Sequence, residues 1–441
     1  MLFNSFEYVA FLFVVFGIFM LANRTKALTV RNALLLIASY FFYAQLNPLF
    51  VFLLLFTTLV NYYAGYAIDR EQRKGKSGKC YMMVAVLLSL ALLVFFKYAY
   101  LVDGSILLPI GLSFFTFQAL TYSIDIYRHK IQAEKNLILV ALFIAFFPTL
   151  LSGPIERARN LIPQLKRQTT ISLTDVESGV QLFIYGLFKK IVIADRLSDY
   201  VDQMFYMPQN QSGSTLAVAA IFYGFQIYCD FSGYADMAIA SGRILGFKIM
   251  DNFNLPYFAD TIKGFWRRWH ISLTSWFTEY VYISLGGNRV NRVHWIFNIS
   301  AVFLLSGIWH GATLSYVLWG ALHAIYYLIE KYWGPKEPNR LYHLLVFVLI
   351  TFAWVFFRIE DSEVAMQVIY LICTDLFAPV SLGSSTFTTL LTSGMLIVFI
   401  LREYLQFKNK LVKQSRIETV FLLLAICLLG VSSSQFVYFQ F

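Results

Sequence analysis

Along the chain, apolar runs long enough to cross a hydrocarbon layer of about 30 Å alternate with short polar connections. The first runs fall at about 8–22, 32–46, 48–68 and 80–101. They are separated by Arg24, Lys26 and Arg31, by Asn47-Pro48, and by the stretch Asp69 to Lys79 with five cations. A fifth starts at Leu107-Pro109 and runs through GLSFFTFQALTYSIDIY to Arg128. No run shows the alternating ten-residue pattern of a barrel strand, so the pattern predicts an all-α, polytopic integral membrane protein.

Several later segments depart from a plain crossing. The run Leu137 to Leu151 is short and is followed closely by Gly153 and Pro154, with Pro148 inside it, which fits a re-entrant hairpin. Asp175 to Leu197 reads as a helix with Lys189 and Lys190 at its middle, placed at an interface or inside the protein with the lysines snorkelling. Leu216 to Leu245 buries Asp230 and Asp236 among apolar residues, the simplest role being hydrogen bonds between helices. Its glycines at 224, 233, 242 and 246 suit close helix approach. From Asn252 to Arg292 hydropathy falls and Trp and Arg accumulate, which predicts irregular or interfacial helices. Trp295 to Lys331 is one long or two short elements, with Ser306-Gly307 and Gly311 as flexible points. Further spans are expected near 341–357, 363–380, 387–405 and 417–435, for about ten to twelve membrane segments in one domain.

Composition agrees: 59% of residues are hydrophobic and 14% charged, and the mean hydropathy is +0.63. The net charge of +10 would suit nucleic acid, but the cations gather in the connections, as the positive-inside rule requires of a membrane protein. Nucleic acid is therefore excluded as a partner and membrane lipid is expected. Counting back from Asp69–Lys79 places the N-terminus outside. The first run lacks a basic leader and a cleavage site, so it is expected to be retained. Cys80, Cys229, Cys373 and Cys427 are scattered without metal-ligand spacing and read as small hydrophobes, and no metal site is expected.

The densest chemistry lies between Gly264 and Gly311, where Arg267, Arg268, His270, Arg289, Arg292, His294 and His310 interrupt an apolar chain. His310 sits in SGIWHGA, and burial there favours the neutral imidazole that a general base must be. Gly307 and Gly311 are expected to open room beside its ring, and Asp230, Asn288, Ser306 and Trp309 are candidates to line that space. The competing role for His310 is a hydrogen bond across helices. His270 closes Trp266-Arg267-Arg268-Trp269-His270, where arginines stacked on tryptophans would grip the phosphates of a nucleotide-like donor. The competing role there is an aromatic-basic belt at the headgroups. His129, His294, His323 and His343 read as structural. There is no GxSxG, HExxH, Walker loop or GxGxxG, and Ser306 as a nucleophile is disfavoured because membrane-helix serines bond back to their own helix.

LPIGLSFFTFQALTYSIDIYR, FFPTLLSGPIERA, GLFKKIVIADRL, YCDFSGYADMAIASGRILGF, NFNLPYFADTIKGFWRRWHISLTSWFTEYVYISLGGNR and SGIWHGATLSYVLWG resemble, in order and wording, the membrane-bound O-acyltransferases. The resemblance is strongest over about 105–325, and within the family it points to the bacterial branch that acetylates alginate or D-alanylates teichoic acid. It implies a single domain over 1–441, with N-terminal spans to 104, a motif-bearing core over 105–325 and C-terminal spans beyond. It also implies a central funnel open to both membrane faces, His310 as the catalytic histidine and His270 as the second. Trp266, Arg267, Arg268 and Trp269 would then bind the donor. No tightly bound cofactor is implied. The donor would be an acyl-CoA, above all acetyl-CoA, or an acyl carrier protein thioester arriving from the cytoplasm. The acceptor would be a cell-surface polysaccharide or an extracytoplasmic transferase, with the protein in the cytoplasmic (inner) membrane. D-alanyl transfer to teichoic acid is the alternative within this chemistry. A proton-coupled transporter or flippase using Asp230, His270 and His310 is the alternative outside it.

Overall fold

A computed structural model describes residues 1–25, 27–99, 108–409, 414–431 and 436. Lys26, the part of the fourth run beyond 99, the start of the fifth at Leu107, the stretch 432–435 of the last expected span, and the closing FVYFQF except Phe436 lie outside the described residues. All regular structure in the described residues is helical, and the chain is a multi-pass membrane protein. It divides into two compact units: residues 1–183 with 234–250, and residues 184–233 with 251–441.

The first unit begins with four long apolar helices, α1 (Phe6–Arg24), α2 (Leu28–Ala44), α3 (Phe50–Arg73) and α4 (Lys79–Ala99). Ser5 caps α1 by accepting from the Tyr8 N–H at 3.2 Å. Their outer faces expose large apolar side chains such as Phe6, Phe13, Leu21 and Phe52, as lipid-facing helices do. α5 (Leu112–Tyr127) is buried along almost its whole length. The run expected to re-enter is broken into α6 (Leu137–Ala145) and α7 (Phe147–Leu150), both buried and neither long enough to cross, followed by α8 (Ala158–Leu165). α9 (Leu173–Phe188) starts in this unit.

Arg31 departs from its reading as a loop cation: it is 1% exposed. Its guanidinium donates to the Leu165 carbonyl at 2.6 Å, the Arg167 carbonyl at 2.8 Å and Thr169 Oγ1 at 2.9 Å. It clamps the end of α8 to α2, so its charge reports packing within the unit rather than membrane sidedness.

In the second unit α9 passes into a widened π-helical turn at Lys189–Ala194 and then α10 (Asp195–Tyr206). The lysines do not snorkel: Lys189 is 3% exposed and Lys190 fully buried. Lys190 Nζ lies 2.7 Å from both Asp195 Oδ1 and Asp230 Oδ1, and Lys189 Nζ donates to Ser232 Oγ at 2.8 Å. Two carboxylates around one ammonium make burial tolerable where an isolated lysine would not be. α11 (Gly213–Ile244) is one unbroken helix. The following region is irregular, with the short helices α12 (Ile262–Trp266) and α13 (Ile271–Trp276), a second π-helical turn at Phe277–Tyr282, and then the long helices α14 (Arg292–His310) and α15 (Leu314–Trp333). α16 (Arg340–Arg358), α17 (Ser362–Thr374), α18 (Thr386–Phe407) and α19 (Arg416–Leu429) follow. Against the ten to twelve segments expected, α1, α3, α4, α11, α14, α16 and α18 are long and apolar enough to cross a membrane, and α2 and α17 are shorter apolar helices. The four cysteines are free.

Candidate active site

The site residues lie in the second unit, on the α12–α13 region and the α14–α15 hairpin. α12 starts on Thr261, whose hydroxyl accepts from the Gly264 N–H at 2.8 Å. Glu330 of α15 takes the next orphan donors, accepting from Ile262 N at 2.5 Å and Lys263 N at 3.0 Å. This carboxylate fixes the start of the WRRWH run against α15.

From there the run divides by face. Trp266 turns its indole to Phe303, Trp319 and His323, with centroids at 5.5, 5.8 and 4.9 Å. Trp269 is 2% exposed and packs on Phe253 and Trp354 at 5.1 and 4.9 Å. Arg267 is exposed. Arg268 donates to the Asn254 carbonyl at 3.3 Å and lies over the Phe407 ring at 5.8 Å. The expected stacking of these arginines on their tryptophan neighbours is therefore replaced: the tryptophans are core residues, and Arg268 stacks on a ring from α18.

His270 adopts φ 43° and ψ 53°, a left-handed conformation that is costly for a residue with a side chain. What holds it there is Asn252, whose Oδ1 accepts from the Ser272 N–H at 3.2 Å and hydroxyl at 2.9 Å and lies 3.0 Å from His270 Nδ1. An oxygen already accepting from a backbone N–H can only accept again, so Nδ1 carries the hydrogen and the lone pair resides on Nε2. Phe231, next to Asp230 on α11, meets the imidazole edge-on at 4.6 Å. Burial pushes the pKa of His270 down to about 3.

His310 ends α14, 3% exposed. Three rings stand edge-on around it, Trp309 at 4.6 Å, Phe357 at 4.9 Å and Trp319 at 5.2 Å. The glycines beside it do not open space, contrary to expectation. α14 runs through Ser306-Gly307 without a break, and the chain turns at Gly311–Thr313. A methyl on Gly307 would drive into the Tyr316 backbone carbonyl, and one on Gly311 into the Tyr316 ring. Gly307 lets α15 pack backbone to backbone on α14, Gly320 does the same from the other side against Phe303, and Gly311 makes room for the Tyr316 ring.

The remaining candidates separate. Ser306 is buried on α14, Trp309 is buried against His310, and Asp230 is buried in its pair with Lys190. Asn288 is exposed on the Gly286-Gly287 turn, and Arg289, Arg292 and His294 are exposed as well. Asn298, not singled out in the sequence, pins that turn by donating to the Leu285 and Gly287 carbonyls at 3.1 Å each. Asn252 and Glu330 were likewise missed; a polar residue inside NFNLPYF was the available signal for Asn252. Successive ring contacts, His310–Trp319–Trp354–Trp269–Phe253–His270, join the two histidines at centroid spacings of 5.2, 6.0, 4.9, 5.1 and 6.5 Å.

Residues 35–358 match the membrane-bound O-acyltransferase family. The probable alginate O-acetylase of Pseudomonas aeruginosa is 39% identical over 81% of this chain and 72% of its own. The peptidoglycan O-acetyltransferase of Helicobacter pylori is 34% identical over 84% and 79%. The teichoic acid D-alanyltransferase of Bacillus subtilis is 30% identical over 56% and 67%.

Proposed function

The chain belongs to the membrane-bound O-acyltransferase family and is an O-acyltransferase; on that premise we propose that it moves an acetyl group from acetyl-CoA to a hydroxyl of a cell-surface polysaccharide, or to an extracytoplasmic transferase that relays it. The observation that carries this reading is His310 at the buried end of the α14–α15 hairpin, walled by three rings. His310 takes the proton of the acceptor hydroxyl as its oxygen attacks the thioester carbon. The tetrahedral centre then collapses, the carbon–sulfur bond breaks, and the thiolate leaves with a proton. A base so placed contributes roughly 10²–10⁴ in rate. His270, with its lone pair directed to Nε2 by Asn252, orients a hydroxyl or the donor. Arg267 and Arg268, just ahead of His270 in the chain, attract the donor's phosphates.

The acetyl donor and polysaccharide acceptor are supported by the alginate and peptidoglycan relatives, which match more of the chain at higher identity than the D-alanyltransferase. In this reading residues 1–441 act as one acyltransferase domain in the inner membrane with the N-terminus outside, and no cofactor is held between turnovers. Family membership displaces the transporter reading. The test is acetyl transfer from radiolabelled acetyl-CoA in membranes with matched protein levels: His310→Ala abolishes turnover, whereas Arg267→Ala and Arg268→Ala mainly raise the donor KM. Near-normal turnover by His310→Ala overturns the assignment. Label delivered from an aminoacylated carrier protein and not from acetyl-CoA would make the chain a D-alanyltransferase.

A further inference from the structure

One turn beyond Trp319 on α15, His323 is completely buried. Its ring stands edge-on to Trp266 and to Trp319, both at 4.9 Å, and those two indoles stand edge-on to each other at 5.8 Å. Phe303 covers a further side at 6.1 Å. Both imidazole nitrogens of His323 and the indole nitrogens of Trp266 and Trp319 are buried, and none has a hydrogen-bond partner among the described residues. Four such nitrogens in one three-ring cluster are unusual, because a buried donor or acceptor left unmade is expensive and native interiors satisfy nearly all of them.

The chemistry of these atoms specifies what would satisfy them. An indole N–H only donates, while a neutral imidazole offers one donor and one acceptor. Together they present three donors and one acceptor; an uncharged secondary amide, whose carbonyl oxygen accepts two hydrogen bonds and whose N–H donates one, answers three of the four. Its position is also constrained. His323 and His310 both contact the Trp319 ring, so their centroids are no more than about 10 Å apart. In a pantetheine thioester the first amide lies roughly 5–6 Å from the reacting carbonyl carbon along bonds of about 1.5 Å. A donor whose thioester stands beside His310 is therefore long enough to bring its nearest amide to His323.

Building on the acyltransferase reading, we propose that His323, with Trp266 and Trp319, forms the subsite that binds the thioester-proximal amide of the pantetheine arm. His323 is a positioning residue: it acts on where the thioester sits, and His310 does the proton transfer. Trp266 thereby joins donor binding through its indole N–H, a different role from the phosphate-gripping stack expected of it.

The test uses the full chain in detergent, with protein yield and thermal unfolding recorded for every variant. Initial rates are measured with acetyl-CoA, with S-acetyl-N-acetylcysteamine, which keeps only the first amide, and with ethyl thioacetate, which has none. Wild-type protein that transfers acetyl from none of them refutes the acyltransferase reading itself. Given wild-type transfer, His323→Phe fills the same space without nitrogens and is expected to raise KM for the two amide-bearing donors about tenfold, the loss of one neutral hydrogen bond. It leaves kcat within about threefold and ethyl thioacetate unaffected, and His323→Gln recovers most of the loss. An equal effect on all three donors, or none on any, overturns the proposal and returns His323 to a packing role. Should the variants not fold, wild-type protein decides: N-acetylcysteamine should inhibit about tenfold more strongly than an alkyl thiol of the same length, and equal inhibition overturns the proposal.

Discussion

Gly320→Ala tests how tightly the hairpin geometry controls the reaction. A Cβ at this position would stand 2.5 Å from the Phe303 carbonyl oxygen, 3.2 Å from its carbonyl carbon and 3.4 Å from Leu304 Cα. All three are backbone atoms of α14, so no side chain can swing aside. Restoring ordinary contact requires the helices to part by about 1 Å, and overpacking of this kind costs about 1–3 kcal/mol. The displacement falls beside Trp319, whose ring meets His310 at 5.2 Å, and a shift of about 1 Å in a reacting group lowers rate by about 10²-fold. Acetyl transfer per molecule of folded protein should therefore drop by one to two orders of magnitude, with a lower unfolding temperature in detergent. Gly17→Ala is the control: its Cβ would meet nothing within 4 Å, so exchanging a mid-helix glycine for alanine leaves activity unchanged and stability equal or slightly higher. Gly320→Ala with activity within twofold of wild type and an unshifted unfolding temperature would refute the claim that backbone contact between α14 and α15 sets the position of His310.

Three further outcomes are expected. Asn252→Leu removes the acceptor of the His270 Nδ1–H and of Ser272, so kcat should fall at least tenfold with little change in donor KM; an unchanged kcat would show that the His270 tautomer is immaterial. Lys190→Met takes away the ammonium between Asp195 and Asp230 and should cost about 3–5 kcal/mol, recovered in part by adding Asp195→Asn and Asp230→Asn; a stable single variant would argue against the ion pair. Because burial holds the His270 pKa near about 3 against 6.5 when unfolded, only the unfolded chain takes up a proton between those values. The His270 contribution to stability is then full above about pH 6.5 and declines as pH falls toward 3, and His270→Asn should lessen the fall in unfolding temperature across that window.

The sequence carried the helices well because membrane spans announce themselves locally: α1 to α4 fall within a few residues of the apolar runs, and the α14–α15 hairpin turns at the expected glycine. It failed wherever the partner of a polar group was distant. Arg31 reads as a loop cation until the carbonyls of residues 165–167 are seen around it. Lys190 reads as a snorkelling lysine until Asp230, forty positions on, is found beside it. A glycine at 307 suits open space and close packing alike, since absence of a side chain serves both; only the proximity of Tyr316 decides. Asn252 and Glu330 escaped notice because their work is to hold orphan backbone donors and one imidazole, a role no spacing encodes.

The polar cluster between Gly264 and Gly311 resolves into residues that differ in how they are held, and that difference separates their roles. His270 is fixed by a hydrogen bond that sets its tautomer and by a left-handed backbone that sets its direction. Protonating it means placing a cation among Phe231, Phe253 and Asn252, which burial opposes strongly. A group held this way suits presenting one lone pair in one direction throughout the cycle and is poorly suited to carrying a proton. His310 meets the rings of Trp309, Phe357 and Trp319 at 4.6, 4.9 and 5.2 Å, and the electron-rich face of an aromatic ring tolerates a transient cation better than an aliphatic wall would. In the proposed mechanism proton abstraction accordingly falls to His310 and orientation to His270, a division motivated by their neighbours rather than by the likeness of the two side chains.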